Sequence, residues 1–499
     1  MTAMKERLND SAEKRILVDV NPYRTRVVLL ENGSPAELYL ERRDRKRLVG
    51  NIYKGKVQNV LPGMFASFVN IGEERNAFLY AGDIKPDSSQ LGGEQIEEKF
   101  TPSAILDIIK AGQDIMVQIV KEPIGTKGAR ASTQISLPGR TLVFMPTIDF
   151  IGISKRITND AERKRLKSIA LELLPEGAGV IMRTAAEGLD EESIREDLTA
   201  LINDWNQIKR LYTESRAPSL IHKDDSLIFR TVRDVFTKGV SNLTVNDRGQ
   251  YELLLKIVEP SLRDRIELYE GKEDMFTLFG VEQAIDAALS RRVWLKSGAY
   301  IVIDQTEALT SIDVNTGKYV GSYSLERTIV DTNKEAAFEI ARQLRLRDIG
   351  GIVIIDFIDM AEESDRRAVV ETLGEALRCD STKTVVVGMT GLGLVEVTRK
   401  KLGTNISTWL QQTCPYCGGS GKVLSTETVA LRVRRDLLER ICDDPSSSGF
   451  TVTAHPDVIK LLGEHSEEEY SISPELGMKN VIYEADPVMH IEEYRIKNI

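Results

Sequence analysis

Apolar and polar residues alternate at strand spacing through the first part of the chain and at helix spacing further on. Ile16, Val18 and Val27 to Leu29 make an alternating β-branched run between Arg15 and Leu30, broken at Asn21-Pro22. A turn over Glu31 to Ser34 leads to a further strand, Glu37 to Leu40. Short strands then crowd together at Asn51–Val57, Ala66–Gly72, Asn76–Leu79 and Ile115–Lys121, a spacing that predicts a small barrel. A polar insertion from Asp83 to Ala111, with Gly92-Gly93, reads as a long loop with one short helix. Beyond Pro138-Gly139 the pattern becomes α/β. Strands are expected at Leu142–Met145 and Gly179–Arg183, and helices at Asn159–Leu174, Asp190–Tyr212, Ser226–Phe236, Pro260–Tyr269 and Gly280–Leu289.

The clearest pattern lies between Tyr300 and Leu394. Tyr300–Asp304 and Ala308–Val314 read as apolar strands, followed by a helix from about Leu325 to Leu346 that Gly350-Gly351 stops. Ile352–Ile358 is apolar throughout, which predicts a central strand covered on both faces. A helix at Glu362–Leu377 and a strand at Thr384–Gly388 complete the segment. The chain has no internal repeat.

At 499 residues the chain should hold two to four folding units. No apolar run approaches the roughly 20 residues that span a bilayer, and the opening from Met1 to Lys14 is polar, so a cytoplasmic location is expected. The net charge of −10 does not argue against a nucleic-acid partner. Exposed charges are screened beyond about 8 Å, so local clusters of basic groups matter more than the sum. Four cysteines exclude a disulfide framework, and Cys379 and Cys442 are expected to be buried small hydrophobes.

Three aspartates, Asp304, Asp313 and Asp356, stand at the ends of apolar strands. A charged carboxylate there needs compensation, which a divalent cation or an arginine such as Arg366 or Arg367 supplies. Magnesium uses one or two protein carboxylates and suits phosphodiester hydrolysis. Asn315 projects from the same side of the chain as Asp313, while Asp359 and Glu362 lie nearby off the strand. The pattern alone leaves the choice among the three aspartates open.

In the barrel, Phe68 and Phe78 either fill the core or offer ring faces to RNA bases, where each stack is worth about 1–3 kcal/mol. On the residues alone the core reading is favoured. Lys54, Lys56, Lys121 and Lys127 lie close in sequence. Arg183-Thr184 ends a strand, either as an ordinary surface pair or as a site for a terminal phosphate. Cys414-Pro415-Tyr416-Cys417 has zinc-knuckle spacing. Zinc takes four ligands, and Cys379, Cys442 and the histidines at 222, 455, 465 and 490 have no ligand-like spacing. The economical solution is one zinc shared by two chains. A redox pair is the competitor, disfavoured by the glycines that follow.

Leu309-Thr310-Ser311-Ile312-Asp313-Val314-Asn315 and Val353-Ile354-Ile355-Asp356-Phe357-Ile358-Asp359-Met360 resemble the two catalytic signatures of the ribonuclease E/G family, with Gly350-Gly351 at the expected place before the second. The runs Asn51–Val57 and Lys121–Gly128 resemble its S-one type RNA-binding OB domain, although Ile71 stands where members often carry Tyr. Gly179–Ala186 resembles its 5′-sensor. The resemblance runs from about Arg15 to about Lys422.

It implies a magnesium-dependent endoribonuclease that cuts single-stranded RNA to 5′-phosphate and 3′-hydroxyl ends, in mRNA decay and rRNA processing. In that reading Asp313 and Asp356 hold Mg2+ and Asn315 positions water or phosphate. Phe68, Phe78, Lys121 and Lys127 contact RNA, and Arg183 and Thr184 prefer a 5′-monophosphate. Cys414 and Cys417 share Zn2+ across a homodimer, which can pair into a homotetramer.

The implied architecture is α/β multidomain. An RNase H-like domain split over 1–46 and 226–288 carries an inserted OB barrel (47–130) and a 5′-sensor (131–225). A DNase I-like catalytic domain (289–412), a zinc link (413–422) and a small α/β dimerisation domain (423–499) follow. The long C-terminal scaffold tail of the largest members is not expected. A non-catalytic RNA-binding regulator on the same scaffold is the alternative.

Overall fold

Strands far apart in the chain share the first sheet, because Arg15–Val18 pairs in parallel with Asn242–Val245. The strand order is Ile266–Leu268, Asn242–Val245, Lys14–Val20, Arg24–Glu31, Ser34–Arg42. The computed structural model describes residues 13–42, 47–84, 104–123, 127–237, 239–317, 325–401, 403, 405–444, 446–464 and 480–499. It divides into two compact units, Met1–Trp409 and Leu410–Ile499. Gly92-Gly93, and Ile124 to Thr126 in the loop before Lys127, lie outside the described residues. Among the described residues no helix is long and apolar enough to cross a membrane.

The sequence between the two halves of the first sheet builds two further layers. Strands Ile52–Leu61, Ala66–Asn70, Ala77–Tyr80, Arg130–Ser132 and Asp114–Lys121 close on themselves as a five-strand barrel through the pairing of the first with the last. The short helix expected in the insertion is Ala104–Ile108. Next comes a four-stranded sheet (Ile151–Ile153, Gly179–Met182, Leu142–Met145, Leu137–Pro138), packed with helices Asp160–Leu173 and Glu191–Glu214 around a common apolar core. Asn159 and Asp190 cap those helices by accepting backbone N–H bonds, as their sequence positions predict.

One expected helix is replaced. Pro260–Arg265 forms a 3-10 turn, and Ile266–Leu268 then leaves as the edge strand beside Leu243–Val245. The apolar spacing of Leu262 and Ile266 suits a helix, but pairing in parallel with the preceding strand Asn242–Val245 draws Ile266–Leu268 into the sheet instead.

The segment from Arg292 to Arg399 is a six-stranded mixed sheet in the order Arg292–Trp294, Tyr300–Gln305, Leu309–Asn315, Gly351–Asp356, Leu394–Arg399, Thr384–Met389. Helices Leu325–Leu346 and Glu363–Leu377 pack on one face, where Ala336, Ala337, Ile340, Leu344 and Leu373 meet Val353 and Ile355. The strand Gly351–Asp356 is central, yet only one of its faces is covered, which corrects the expectation of burial on both sides. Ile352 is 51% exposed and Asp356 is exposed, because both helices lie on the same side of the sheet.

Arg345, near the end of the long helix, ties this layer to the first sheet. Its buried guanidinium donates to Glu31 (2.8 and 2.9 Å) and Glu37 (2.9 and 3.1 Å), and Tyr39 donates its hydroxyl to Glu37. Burial alone would ease the proton off Arg345; its hydrogen bonds and attraction to the two glutamates outweigh that and hold it above the ordinary value.

The second unit is a three-stranded sheet (Asn480–Ala485, Gly449–Ala454, Tyr494–Asn498) covered by helices Thr426–Asp443 and Pro456–Glu464. Cys442 is exposed there, as Cys379 is in the first unit, so neither is the buried apolar residue expected from sequence. Each falls at the solvent side of a helix end, where an isolated small residue carries no packing signal.

Candidate active site and RNA-contacting surfaces

Along Leu309–Asn315 the alternation is strict: Thr310, Ile312 and Val314 face the core, while Leu309, Ser311 and Asp313 face solvent. The parallel pairing of this strand with Gly351–Asp356 makes Asp313 and Asp356 direct register partners. Neighbouring strands lie about 4.8 Å apart, so the two carboxylates stand side by side on the open face. Asn315 donates its amide to Asp313 Oδ2 at 2.7 Å, which orients that carboxylate. Partial desolvation raises the Asp356 carboxyl above its ordinary value, and the negative charges of Asp313 and Asp359 raise it further.

Asp304 is separated from this pair by its partner. Arg291 grips it from two sides, with Nη2 at 2.6 Å, so its charge is already balanced. The arginines that could have neutralised the other two are occupied elsewhere. Arg366 pairs with Glu363 and the Met360 carbonyl, and Arg367 with Glu363. Behind the acid pair, the fully buried Asn333 of the long helix makes a reciprocal brace. It donates to the Ile358 carbonyl (2.8 Å) and accepts from the Ile358 N–H (3.0 Å), fixing the turn that leaves Asp356.

Among the described residues no group of three or more His, Cys, Asp or Glu is placed to hold a metal ion. A two-carboxylate site remains compatible with magnesium, which keeps several waters and needs only one or two such ligands. Two adjacent, mutually repelling carboxylates with no arginine partner among the described residues fit that ion.

On the barrel, strand register aligns Asn59, Phe68, Phe78, Arg130 and Lys121 as one row across four neighbouring pairings. Phe68 and Phe78 are half-buried, lie outside the barrel's apolar core and meet edge to face at 5.9 Å. Lys121 and Lys127 are exposed. Gly128 holds the loop after Lys127 against the Phe78 strand, since a Cβ there would lie 2.1 Å from the Asn76 carbonyl oxygen. Lys54 is not available to a ligand. Its ammonium donates to the Tyr212 and Ser215 carbonyls at 2.9 Å and sits over the Tyr212 ring. Ile71 is buried in the barrel core.

Arg183 leaves the end of its strand half-buried, donating to the Gly139 carbonyl (2.8 Å) and pairing with Asp234 (2.7 Å). Thr184 shares a hydrogen bond of 3.0 Å with Ser154. The guanidinium has five N–H donors, so an anion here would share it with Asp234.

In the second unit, Gly418, Gly419 and Gly421 adopt positive φ and turn the chain back over Cys417, where the Gly421 N–H donates to Sγ at 3.3 Å. The Gly421 and Gly419 N–H groups, and then Cys414, hold the Cys417 thiol below its ordinary value, which suits a metal-binding thiolate. His490 lies against Tyr416 with both ring nitrogens engaged: Nε2–H donates to the Tyr416 carbonyl (2.7 Å) and Nδ1 accepts from Glu492 N (3.2 Å). It is therefore not a third ligand, and the knuckle offers two sulfurs.

The fold is a mixed α/β multidomain structure with a five-strand barrel, and comparison with known proteins gives the family. Residues 136–402 match the ribonuclease E/G family. Ribonuclease G of Escherichia coli (strain K12) is 42% identical over 485 residues, covering 96% of this chain and 99% of that protein. Ribonuclease G of Haemophilus influenzae is 42% identical over 93% of this chain and 94% of its own length. Ribonuclease E of Nostoc sp. is 38% identical over 87% of this chain and 64% of its own length. The chain belongs to the ribonuclease E/G family and is an endoribonuclease of RNA processing.

Proposed function

We propose that this endoribonuclease hydrolyses single-stranded RNA with magnesium held by Asp313 and Asp356, leaving 5′-phosphate and 3′-hydroxyl ends. The observation that carries the reading is the register pairing of those two aspartates on the open face of the sheet, with Asn315 orienting one of them. A bound magnesium ion supplies charge stabilisation at the phosphoryl oxygen and a water of lowered pKa. Asp313 and Asp356 keep the pair of carboxylates adjacent, and Asn333 keeps the following turn in place. Asn315 positions Asp313 and offers polar atoms to the water or the phosphate.

The row through Phe68, Phe78 and Lys121, with Lys127 close by, receives the RNA strand by stacking and charge. Arg183 and Thr184 select a 5′-monophosphate, with Asp234 holding the guanidinium ready. The roles are in mRNA decay and rRNA processing in the cytoplasm. The first sheet serves as the RNase H-like support, the barrel as the S-one type domain and the six-stranded layer as the DNase I-like domain. One assay tests the core of this. An A- and U-rich RNA carrying a 5′-monophosphate, triphosphate or hydroxyl is compared with its DNA equivalent, with and without magnesium. Cutting of RNA alone, only with magnesium and fastest from the monophosphate, is the expected result. Metal-independent cutting overturns the acid-pair reading, and a monophosphate preference that survives Arg183→Ala removes the sensor.

The knuckle joins two chains through one shared zinc, giving a homodimer that can pair into a tetramer. Two sulfurs per chain, with His490 turned to other bonds, support this stoichiometry. Native mass measurement should show one zinc per two chains and loss of the dimer on treatment with a strong chelator. A dimer that survives complete zinc removal means that another surface joins the chains.

A further inference from the structure

The edge strand Arg292–Trp294 alternates so that Val293 enters the core while Arg292 and Trp294 are exposed on the other side. Trp294 is 60% exposed, an unusual place for the largest apolar side chain. It is the cross-strand partner of Tyr300, with ring centroids 5.2 Å apart at 62°. The Arg292 guanidinium lies 4.4 Å from the Tyr300 centroid and 5.7 Å from that of Trp294. Exposed Trp294 and Arg292 and half-buried Tyr300 thus form one group.

The register fixes where that group stands. Tyr300 pairs with Asn315, so one row reads Trp294, Tyr300, Asn315. The next row reads Arg292, Val302, Asp313, Asp356. The aromatic group therefore shares the open face with the acid pair, Tyr300 standing one strand spacing (about 4.8 Å) from Asn315 and Trp294 two (about 10 Å). It is also held in shape. Glu335 of the long helix accepts from the N–H groups of Lys296 (2.9 Å) and Ser297 (3.3 Å), and Gly298 at φ 93° closes the turn between the two aromatic residues.

We propose that Trp294, Tyr300 and Arg292 form a nucleobase platform that seats one unpaired nucleotide next to the scissile phosphate, on the Asn315 side. This rests on the reading of Asp313 and Asp356 as the cutting centre. Ring faces accept any base, and the arginine adds attraction for the ring faces and the phosphate backbone. The platform would fix which phosphate reaches the acid pair, working beside the barrel row rather than in place of it. A paired strand has no free base face to offer, so the platform also favours single-stranded substrate.

The test uses the full chain and a single-site RNA oligonucleotide, intact or with one abasic nucleotide at each position around the cut. Trp294→Ala should lower kcat/KM on intact RNA by roughly five- to a hundredfold, and Trp294→Phe should recover most of it. One abasic position should cost the wild type the same factor and cost Trp294→Ala nothing more. An unchanged kcat/KM, or a loss that multiplies with every abasic position alike, overturns the platform. RNA affinity is measured in parallel in Asp313→Asn protein. If that protein still cuts RNA, the acid-pair reading fails, while the affinity lost with Trp294→Ala still reports on the platform. A changed oligomer mass with RNA affinity intact assigns Trp294 to a protein contact and overturns the proposal.

Discussion

Asp313→Asn should bind RNA as well as the wild type and cut it at least about three orders of magnitude more slowly, the value of several kcal/mol of metal-supplied charge stabilisation. The substitution preserves shape and removes one negative charge from a pair that stands in register across two parallel strands. Asp356→Asn should behave alike, because the two carboxylates stand in register as one pair. Asp304→Asn is the informative control. That residue sits on the same sheet face, one strand from Ser311, but its charge is balanced by Arg291. It should retain near wild-type cutting. The measurement is the single-turnover rate at saturating magnesium, with affinity determined on the same preparations. Equal losses from all three substitutions would mean that the sheet face needs general negative charge, not a specific two-carboxylate site.

The sequence pattern marks three strand-end aspartates, Asp304, Asp313 and Asp356, without choosing among them, and only the resemblance to the family signatures points to the last two. What was not legible is that the two strands are neighbours in register. That depends on a parallel crossover through the helix Leu325–Leu346, and no local pattern encodes it. The same limit explains Asp304. Its partner Arg291 is 13 residues away, across the hairpin formed by the first two strands of the sheet, and is visible only once that hairpin closes. Trp294 carries no local signal, because a single aromatic residue on a short edge strand has no periodicity to mark it. Its meaning comes from Tyr300 and Asn315 in the next two strands.

Local patterns also misled in informative ways. Ile352 to Ile355 is apolar at every position, which suits a strand covered on both sides, yet the covering helices both fall on one side and leave Ile352 exposed. Lys54 follows an aromatic residue in a basic, barrel-forming run, the texture of an RNA contact, and instead caps the carbonyl end of the helix Glu191–Glu214. Phe68 and Phe78 show the reverse. Their composition favoured core filling, and strand pairing sets them together on a row that ends in Arg130 and Lys121. In each case a group far off in the chain (a covering helix, a helix's carbonyl end or a paired strand), not the local run, sets the side chain's surroundings.

Arg345→Ala should destabilise the first unit by about 3–5 kcal/mol, the usual cost of stranding a buried charge. Removing the guanidinium leaves Glu31 and Glu37 facing each other without a cation, and the Tyr39 hydroxyl then bonds to an uncompensated carboxylate. Arg342, one turn earlier on the same helix, is the comparison. It bonds Glu339 on its own helix and the Pro35 carbonyl, and its half-exposed position should make Arg342→Ala cost about 1 kcal/mol or less. Denaturant midpoints with a probe in the first unit would separate the two. The cutting rate should fall in Arg345→Ala at temperatures well below its own unfolding midpoint, since the same helix carries Asn333 and Glu335. Those two side chains brace the turn after Asp356 and the turn before Tyr300. If Arg345→Ala lost stability yet kept the full cutting rate whenever folded, the joint would support the fold without transmitting order to the acid pair.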